Sequence, residues 1–483
     1  MRAALAVVPI LPRWWRRHRW TSGAALLLVV LGVAVGSTAG VATGAVGLVL
    51  PGAAMAVWER RSPASYERRG RGPWRRLRWT VTVRRRWRNE IAEGCGIGFT
   101  QNRKRKGQVV KVFRPAKMRL HVGQYGVEMT VRTPLGLDAD DVTAKVGPIA
   151  AAYEATSFAA RWISPAEVRL RLTLTDPLAV VRVSEVTTGS DPVVLGYDAS
   201  GDPVLFDVTE AAHTAIQGMT RSGKSVLTYG LLSGLAHRED VVVVGCDPSG
   251  LLLAPWAETS ARGASLIALG TGDLAAHAAV LDALTDEMDR RIGVLRALRT
   301  DKLDAMTAEL PAVVVVLEEY PGLLGAARLA DRDLATRIER SVGRLVKESA
   351  KVGFRLLVLA QRMSAKAIDT DDRSNFGSRI TLRVDSAEAV TMLHDRDAAP
   401  PIAQVQAWPP GIGLVQRIAF PAILWRACVT DYPTYLERVA AGIAATANAP
   451  ALNMQVTSTV DELAPVFDKP RRPQPKRPRS AAA

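Results

Sequence analysis

The stretch HTAIQ (213–217), GMTRSGKS (218–225), VLTYGLLSGLA (226–236) decides how this chain is read. HTAIQ has the composition of a short buried strand, and VLTYGLLSGLA carries apolar residues at helical spacing. Between them lies G-x-x-x-x-G-K-S: Gly218, Met219, Thr220, Arg221, Ser222, Gly223, Lys224 and Ser225, with Val226 next in the helix. Glycines let the backbone curl around an anion, and the loop amides and the helix N-terminus point at it. In this context residues 218–226 are expected to hold ATP, with Lys224 on the terminal phosphates and the Ser225 hydroxyl on Mg2+.

Such a loop needs a carboxylate at the end of a second strand. PAVVVVLEE (311–319) supplies two. Its unbroken apolar run predicts a parallel strand covered on both faces, and acids at its C-terminal end fall where open α/β sheets bind ligands. Glu318 is the candidate for the metal shell and Glu319 for orienting or deprotonating the attacking water. VVVVGCD (241–247) and FRLLVLAQR (354–362) read as further strands of the same sheet, and Gln361, at the end of the latter, is a candidate γ-phosphate sensor.

Working outward, the charge is uneven. The chain has 483 residues and a formal net charge of +16, yet residues 1–120 carry +21, 121–468 carry −11 and 469–483 carry +6. The middle resembles an ordinary enzyme, and the two ends call for anionic partners. Cys95, Cys246 and Cys428 are far apart, which argues against a disulfide framework or a zinc site. Thr21–Trp58 contains no charged residue over 38 positions. A single straight helix of that length would run about 57 Å against a hydrocarbon core of about 30 Å. Two short spans turning near 37–40 suit it better, and arginines on both flanks place both ends in the cytoplasm. One long tilted span is the alternative. Trp14, Trp15, Trp20 and Trp58 bracket the segment as an interfacial belt does. The Arg/Trp-rich run 59–106 reads as a juxtamembrane linker bound to anionic lipid, with DNA phosphate contact as the other reading. Residues 107–190 alternate strand-like runs (109–113, 118–122, 127–132, 168–174) with a helical stretch over 140–160, which predicts a small α/β domain. Residues 193–212 read as a hairpin turning at 198–201.

With these motifs in place, residues 190–418 resemble the FtsK/SpoIIIE family of DNA-pumping ATPases. GMTRSGKSV resembles its nucleotide loop, VVVVGCDPSGLLL its strand with Asp-Pro, and LTDEMDRRIGVLRAL (284–298) its Glu-Met-x-Arg-Arg helix. VVVVLEEYPGLL resembles its acidic strand, LLVLAQRM its sensor strand, SRITLRVDSAEAVTMLHD (378–395) the next strand and helix, and PPGIGLV (409–415) its closing hairpin. The resemblance implies an α/β, RecA-like P-loop ATPase motor with a mainly parallel sheet over 191–435. Here it is preceded by the small α/β domain and the N-terminal transmembrane hairpin, and followed by a C-terminal helix and basic Pro-rich tail (436–483). It also implies a homo-hexameric ring around double-stranded DNA, with Arg379 as the candidate arginine acting on a neighbouring site; Arg290 and Arg291 are alternatives.

Departures limit the transfer. Arg221 stands where the family has Gly, Glu318 where it has Asp, and Met363 where it has Pro. The few residues after 430 leave little room for a winged helix, so a cell-division role is not expected. The plan is closer to the FtsK-like transfer proteins of actinobacterial conjugative elements, at the cell (inner) membrane, multi-pass, with a cytoplasmic motor and other transfer proteins as partners. The competing readings are a type VII-like protein-export ATPase and a nucleotide-gated membrane scaffold with weak turnover. Arg337, Arg340, Arg344, Lys347 and Lys351 form one basic helical face that reads as solvated or as a DNA or subunit contact. Lys366 and Arg373 mark candidate pore loops over 363–376.

Overall fold

A computed structural model describes residues 54–449, apart from 106–107, 188, 211–212, 259–261, 304, 364–372 and 419. The expected membrane hairpin over 21–58 lies almost wholly outside the described residues, as do Lys366 and the basic tail. Among the described residues, no helix is long and apolar enough to cross a membrane. The chain divides into two compact units, the first ending at Thr175 and the second starting at Asp176.

The first unit carries β1 (Gly98–Arg105), β2 (Gln108–Pro115), β3 (Met118–Val122), β4 (Gly126–Arg132), β5 (Ser157–Ser164) and β6 (Glu167–Thr173). Its helices are α1 (Gly72–Arg86), α2 (Ala139–Ala144) and α3 (Val146–Ala152). β1 and β2 form a separate hairpin, and the other four strands make an antiparallel sheet in the order β3-β4-β6-β5. Alternation along β4 and β6 sends Val127, Met129, Val131, Val168, Leu170 and Leu172 to one face, where they form the core with Val142 and Ile149.

Two sequence expectations are corrected here. The helix expected over 140–160 stops at Ala152. Glu154 then turns the chain with φ +57°, and Ser157–Ser164 pairs with β6. The supposed linker 59–106 is partly core: Val83, Trp87, Ile91 and Ile97 are buried with the sheet residues, and the Trp87 indole donates to Ala116 O at 3.0 Å. An indole with a buried partner is spent inside the fold rather than at a membrane interface. Of Trp74, Trp79 and Trp87 in this run, Trp74 alone is strongly exposed.

The second unit is built on a ten-stranded mixed sheet. Its strands are β7 (Val193–Asp198), β8 (Pro203–Phe206), β9 (Thr214–Gln217), β10 (Val241–Asp247), β11 (Ile267–Leu269), β12 (Ala312–Leu317), β13 (Phe354–Ala360), β14 (Ser378–Leu382), β15 (Ile412–Arg417) and β16 (Ile423–Ala427). The order is β11-β10-β12-β13-β9-β14-β15-β16-β7-β8. The first six are mutually parallel and the last four run antiparallel. The helices are α4 (Lys224–Leu235), α5 (Leu274–Ala297), α6 (Tyr320–Ala330), α7 (Arg332–Glu348), α8 (Ala387–Leu393) and α9 (Tyr432–Ala445).

Every residue of β10, β12 and β13 is buried, as the apolar runs predict for strands covered on both faces. Odd and even positions serve different layers. Val313, Val315 and Leu317 pack against α5, α6 and α7, whereas Val314 and Val316 pack with residues of α4 and α9. α9 is therefore part of the motor, which extends past the expected boundary at 435. Two cations of the basic face of α7 are paired within the fold. Arg337 pairs with Asp282, and Arg344 with Asp289 at 2.7 Å, zipping α7 to α5 through acids seven residues apart.

Candidate nucleotide site

The loop 218–223 leaves β9 at the C-terminal edge of the parallel strands, where β13 separates β9 from β12. That inserted strand brings its own end, Gln361, between the loop and the acids that follow β12. The Gly218 amide donates to Ala360 O at 3.2 Å and the Met219 amide to Arg383 O at 2.9 Å, fixing the loop to both neighbouring strands. Gly223 has φ +99° and caps α4. A Cβ there would lie 2.7 Å from the Gly411 amide, which itself donates to Ser222 O at 2.8 Å. The PPGIG turn thus buttresses the loop from behind. Arg221 adopts φ +63°, the left-handed conformation a glycine takes freely. The arginine accepts the same backbone at roughly 1 kcal/mol, and Arg383 holds its carbonyl at 3.1 Å.

Lys224 Nζ donates to Glu319 Oε2 at 2.8 Å. Glu319 Oε1 accepts from the Gln361 amide at 3.1 Å. Glu319 reaches both from a left-handed backbone, φ +45° and ψ +45°, a strained geometry of the kind that collects at functional sites. The structure therefore brings Lys224, Glu319 and the backbone of Gln361 together; the Gln361 residue is exposed.

Glu318 immediately precedes Glu319 at the end of β12. Its carboxyl is pushed up to about 7 by burial and by the charge of Asp247, opposed by Lys224 and raised further by Glu319. Asp247 is fully buried and held by four donors: the Ser249 amide and hydroxyl, the Gly250 amide and the Leu253 amide, at 2.6 to 3.0 Å. Tyr229 was not foreseen. It lies one turn beyond Ser225 on α4 and stacks on Tyr435 at 4.8 Å; burial pushes its phenol up, and the charges of Tyr432, Glu318 and Asp247 add to the rise. The i, i+4 spacing from Ser225 was the available signal. Gln217, also missed, is buried immediately before the loop: its Oε1 accepts from the Met363 amide at 3.1 Å and its Nε2 donates to Thr381 Oγ1 at 2.9 Å.

Arg379 is placed differently from the expectation of an arginine reaching a neighbour. Its guanidinium donates to the carbonyls of Phe376, Leu393 and Arg373 within its own chain. Arg291 is buried against Glu287, and Arg290 is paired with the same carboxylate. Arg373 donates to Met392 O at 2.9 Å.

The residues present fit ATP with Mg2+. A Cβ on Gly218 would meet Ser222 Oγ at 2.4 Å, so only glycine leaves this turn closed. The first-turn amides of α4 have no intrahelical acceptor, and the adjoining Lys224 is cationic. Among the described residues, no cluster of three or more His, Cys, Asp or Glu suits a metal. A P-loop metal needs no such cluster, because one hydroxyl and one carboxylate suffice beside the phosphates. Ser225 is exposed at the start of α4, and Glu318 follows the end of β12. Because Glu318 titrates near neutrality, Mg2+–nucleotide binding is expected to release a proton and to weaken as pH falls from 8 to 6. Calorimetry in buffers of different ionisation enthalpy checks this, and Glu318→Gln should release fewer protons and show a shallower pH dependence, the remainder coming from the nucleotide's terminal phosphate.

A parallel sheet with an extra strand between the nucleotide loop and the acidic strand defines a P-loop ATPase domain. Residues 179–407, just under half of the chain, match the FtsK/SpoIIIE family model. DNA translocase SftA of Bacillus subtilis is 31% identical over 221 residues, 43% of this chain and 22% of that protein. DNA translocase FtsK of Haemophilus influenzae is 28% identical over 229 residues, 40% of this chain and 41% of that protein. The chain thus spans less than half the length of these curated relatives. Among solved structures, the pCW3 conjugation coupling protein TcpA with ATPγS aligns with TM-score 0.45 and 17% identity, covering 67% of this chain and 93% of that one.

Proposed function

We propose that this chain is an ATP-driven double-stranded DNA translocase, anchored in the cell membrane by its N-terminal apolar segment and working as a homo-hexamer in conjugative DNA transfer. The observation that carries the motor reading is the Lys224–Glu319–Gln361 constellation at the end of β9, β12 and β13. It joins a phosphate-binding cation, a candidate base and a strand-end sensor, the parts a phosphoryl-transfer site requires. The family match supports duplex DNA as the track, since its relatives are named DNA translocases. The conjugative setting rests on the order of parts: an apolar segment, then a small α/β unit, then the motor module.

In this reading Lys224 binds the terminal phosphates; Ser225 and Glu318 would hold Mg2+, which when bound would supply charge neutralisation there. Glu319 orients the water and accepts its proton. The contact between the Gln361 amide and Glu319 links the base to β13, whose continuation at 363–376 would meet the track. The test is ATP turnover by the full chain in nanodiscs, with and without linear duplex. Stimulation of tenfold or more, lost in Lys224→Ala, is expected. Turnover that requires Lys224 but ignores duplex would favour the protein-export reading instead.

A further inference from the structure

The sheet of the first unit has two unlike faces, and the second one is basic. Strand register places Arg119 opposite Thr130, Thr130 opposite Arg169, and Arg169 opposite Arg161, one row across all four strands. The next row on the same face runs His121, Glu128, Arg171, Ala159. The core residues of β4 and β6 occupy the intervening positions and point the other way. Arg119, Arg161 and His121 are exposed, and Arg169 and Arg171 are half-buried. Glu128, paired with Arg169 at 3.3 Å, is the single acid in these two rows.

We propose that this face is a second docking surface for the phosphate backbone of duplex DNA, separate from the motor. It rests on the reading of the chain as a duplex translocase. Four arginines against one carboxylate make the face complementary to a polyanion. Arginine is the cation whose planar fork matches phosphate. The row from Arg119 to Arg161 crosses three strand spacings, about 14 Å, comparable with the ~12 Å major groove. The two rows carry no Trp, Tyr or Phe, and the one imidazole, His121, lies at the row's end on β3. Single strands are gripped by stacking on aromatics, and lipid-surface elements bury Trp, Phe or Leu below their cations. Phe158 and Trp162, the exposed aromatics of β5, alternate onto the opposite face. Flat charge without stacking groups selects a duplex backbone.

The experiment measures binding of a fluorescent duplex to the full chain in nanodiscs across a KCl series. The probe variants are Arg119→Gln/Arg161→Gln/Arg171→Gln and the charge-keeping Arg119→Lys/Arg161→Lys/Arg171→Lys. Each lost phosphate contact lowers the salt slope of log K by about 0.9. The Gln triple should therefore flatten the slope by about 2 to 3 and weaken binding at least tenfold at 0.1 M salt. The Lys triple should keep the parental slope, and duplex-independent ATP turnover should be unchanged in both. A parental slope in the Gln triple, with the unmodified chain binding duplex normally, overturns this surface alone. Loss of binding to vesicles with 30% anionic lipid, at an unaltered duplex slope, overturns it in favour of a lipid surface. No duplex binding by the unmodified chain overturns the translocase reading along with it.

Discussion

Glu319→Gln is expected to bind nucleotide about as well as the unsubstituted chain and to hydrolyse it about a thousandfold more slowly. Glu319 faces two partners, the Lys224 ammonium at 2.8 Å and the Gln361 amide at 3.1 Å. A glutamine keeps the shape and can still accept from the Gln361 amide, but it has neither the charge nor the basicity to take a proton from water. A thousandfold loss is about 4 kcal/mol of barrier, within the range for removing one preorganised group. Binding should survive because phosphate contact belongs to the 218–225 loop. Lys224→Ala should differ, losing affinity and turnover together. Fluorescent-nucleotide titration and single-turnover hydrolysis separate the two. Turnover within tenfold of the parent in Glu319→Gln would remove Glu319 from the role of base.

Glu287→Ala is expected to have the largest effect on stability, about 3–5 kcal/mol. Glu287 and Arg291 are both about 2% exposed, with Arg291 Nε on Glu287 Oε1 at 2.7 Å. The same guanidinium donates to Pro311 O and Val352 O, just before β12 and β13 respectively. It therefore ties α5 to the N-terminal ends of the two strands that deliver Glu319 and Gln361. Removing the carboxylate strands a buried cation, which costs far more than an exposed pair is worth. Burial works against the Glu287 carboxylate, but the hydrogen bonds and charges of Arg290 and Arg291 outweigh it and hold its pKa below the ordinary value. The linkage sign follows: this stability is present above the unfolded-state carboxyl pKa and is lost as pH falls through the lower folded value. Urea unfolding at pH 7 should show a lower midpoint for Glu287→Ala at an unchanged slope, with the gap narrowing in acid. An equal midpoint would contradict the structural role of the pair.

The motor was the legible part of the sequence. The runs 241–247, 312–317 and 354–360 are apolar without alternation, so their strand character and double cover follow from composition, and the 218–225 motif fixes the loop between β9 and α4. What escaped depends on contacts distant in sequence. No local pattern says that Trp87 donates to Ala116 O rather than facing lipid. Nothing in SRI (378–380) says that Arg379 spends its donors on three carbonyls of its own chain. β5 was hidden because SFAARWIS mixes helix formers with β-branched and aromatic residues, and its pairing with β6, not propensity, makes it a strand. The ion pair of Lys224 with Glu319 joins residues 95 apart and is visible only once the strand order is known.

The central claim, motion along duplex DNA driven by this nucleotide site, is tested most directly by displacement of a third strand annealed to one end of a linear duplex. The full chain in nanodiscs should displace it with ATP and Mg2+, after a lag that grows with duplex length, and should fail to do so with Glu319→Gln. Displacement that is absent, or that proceeds equally without ATP, would contradict the account.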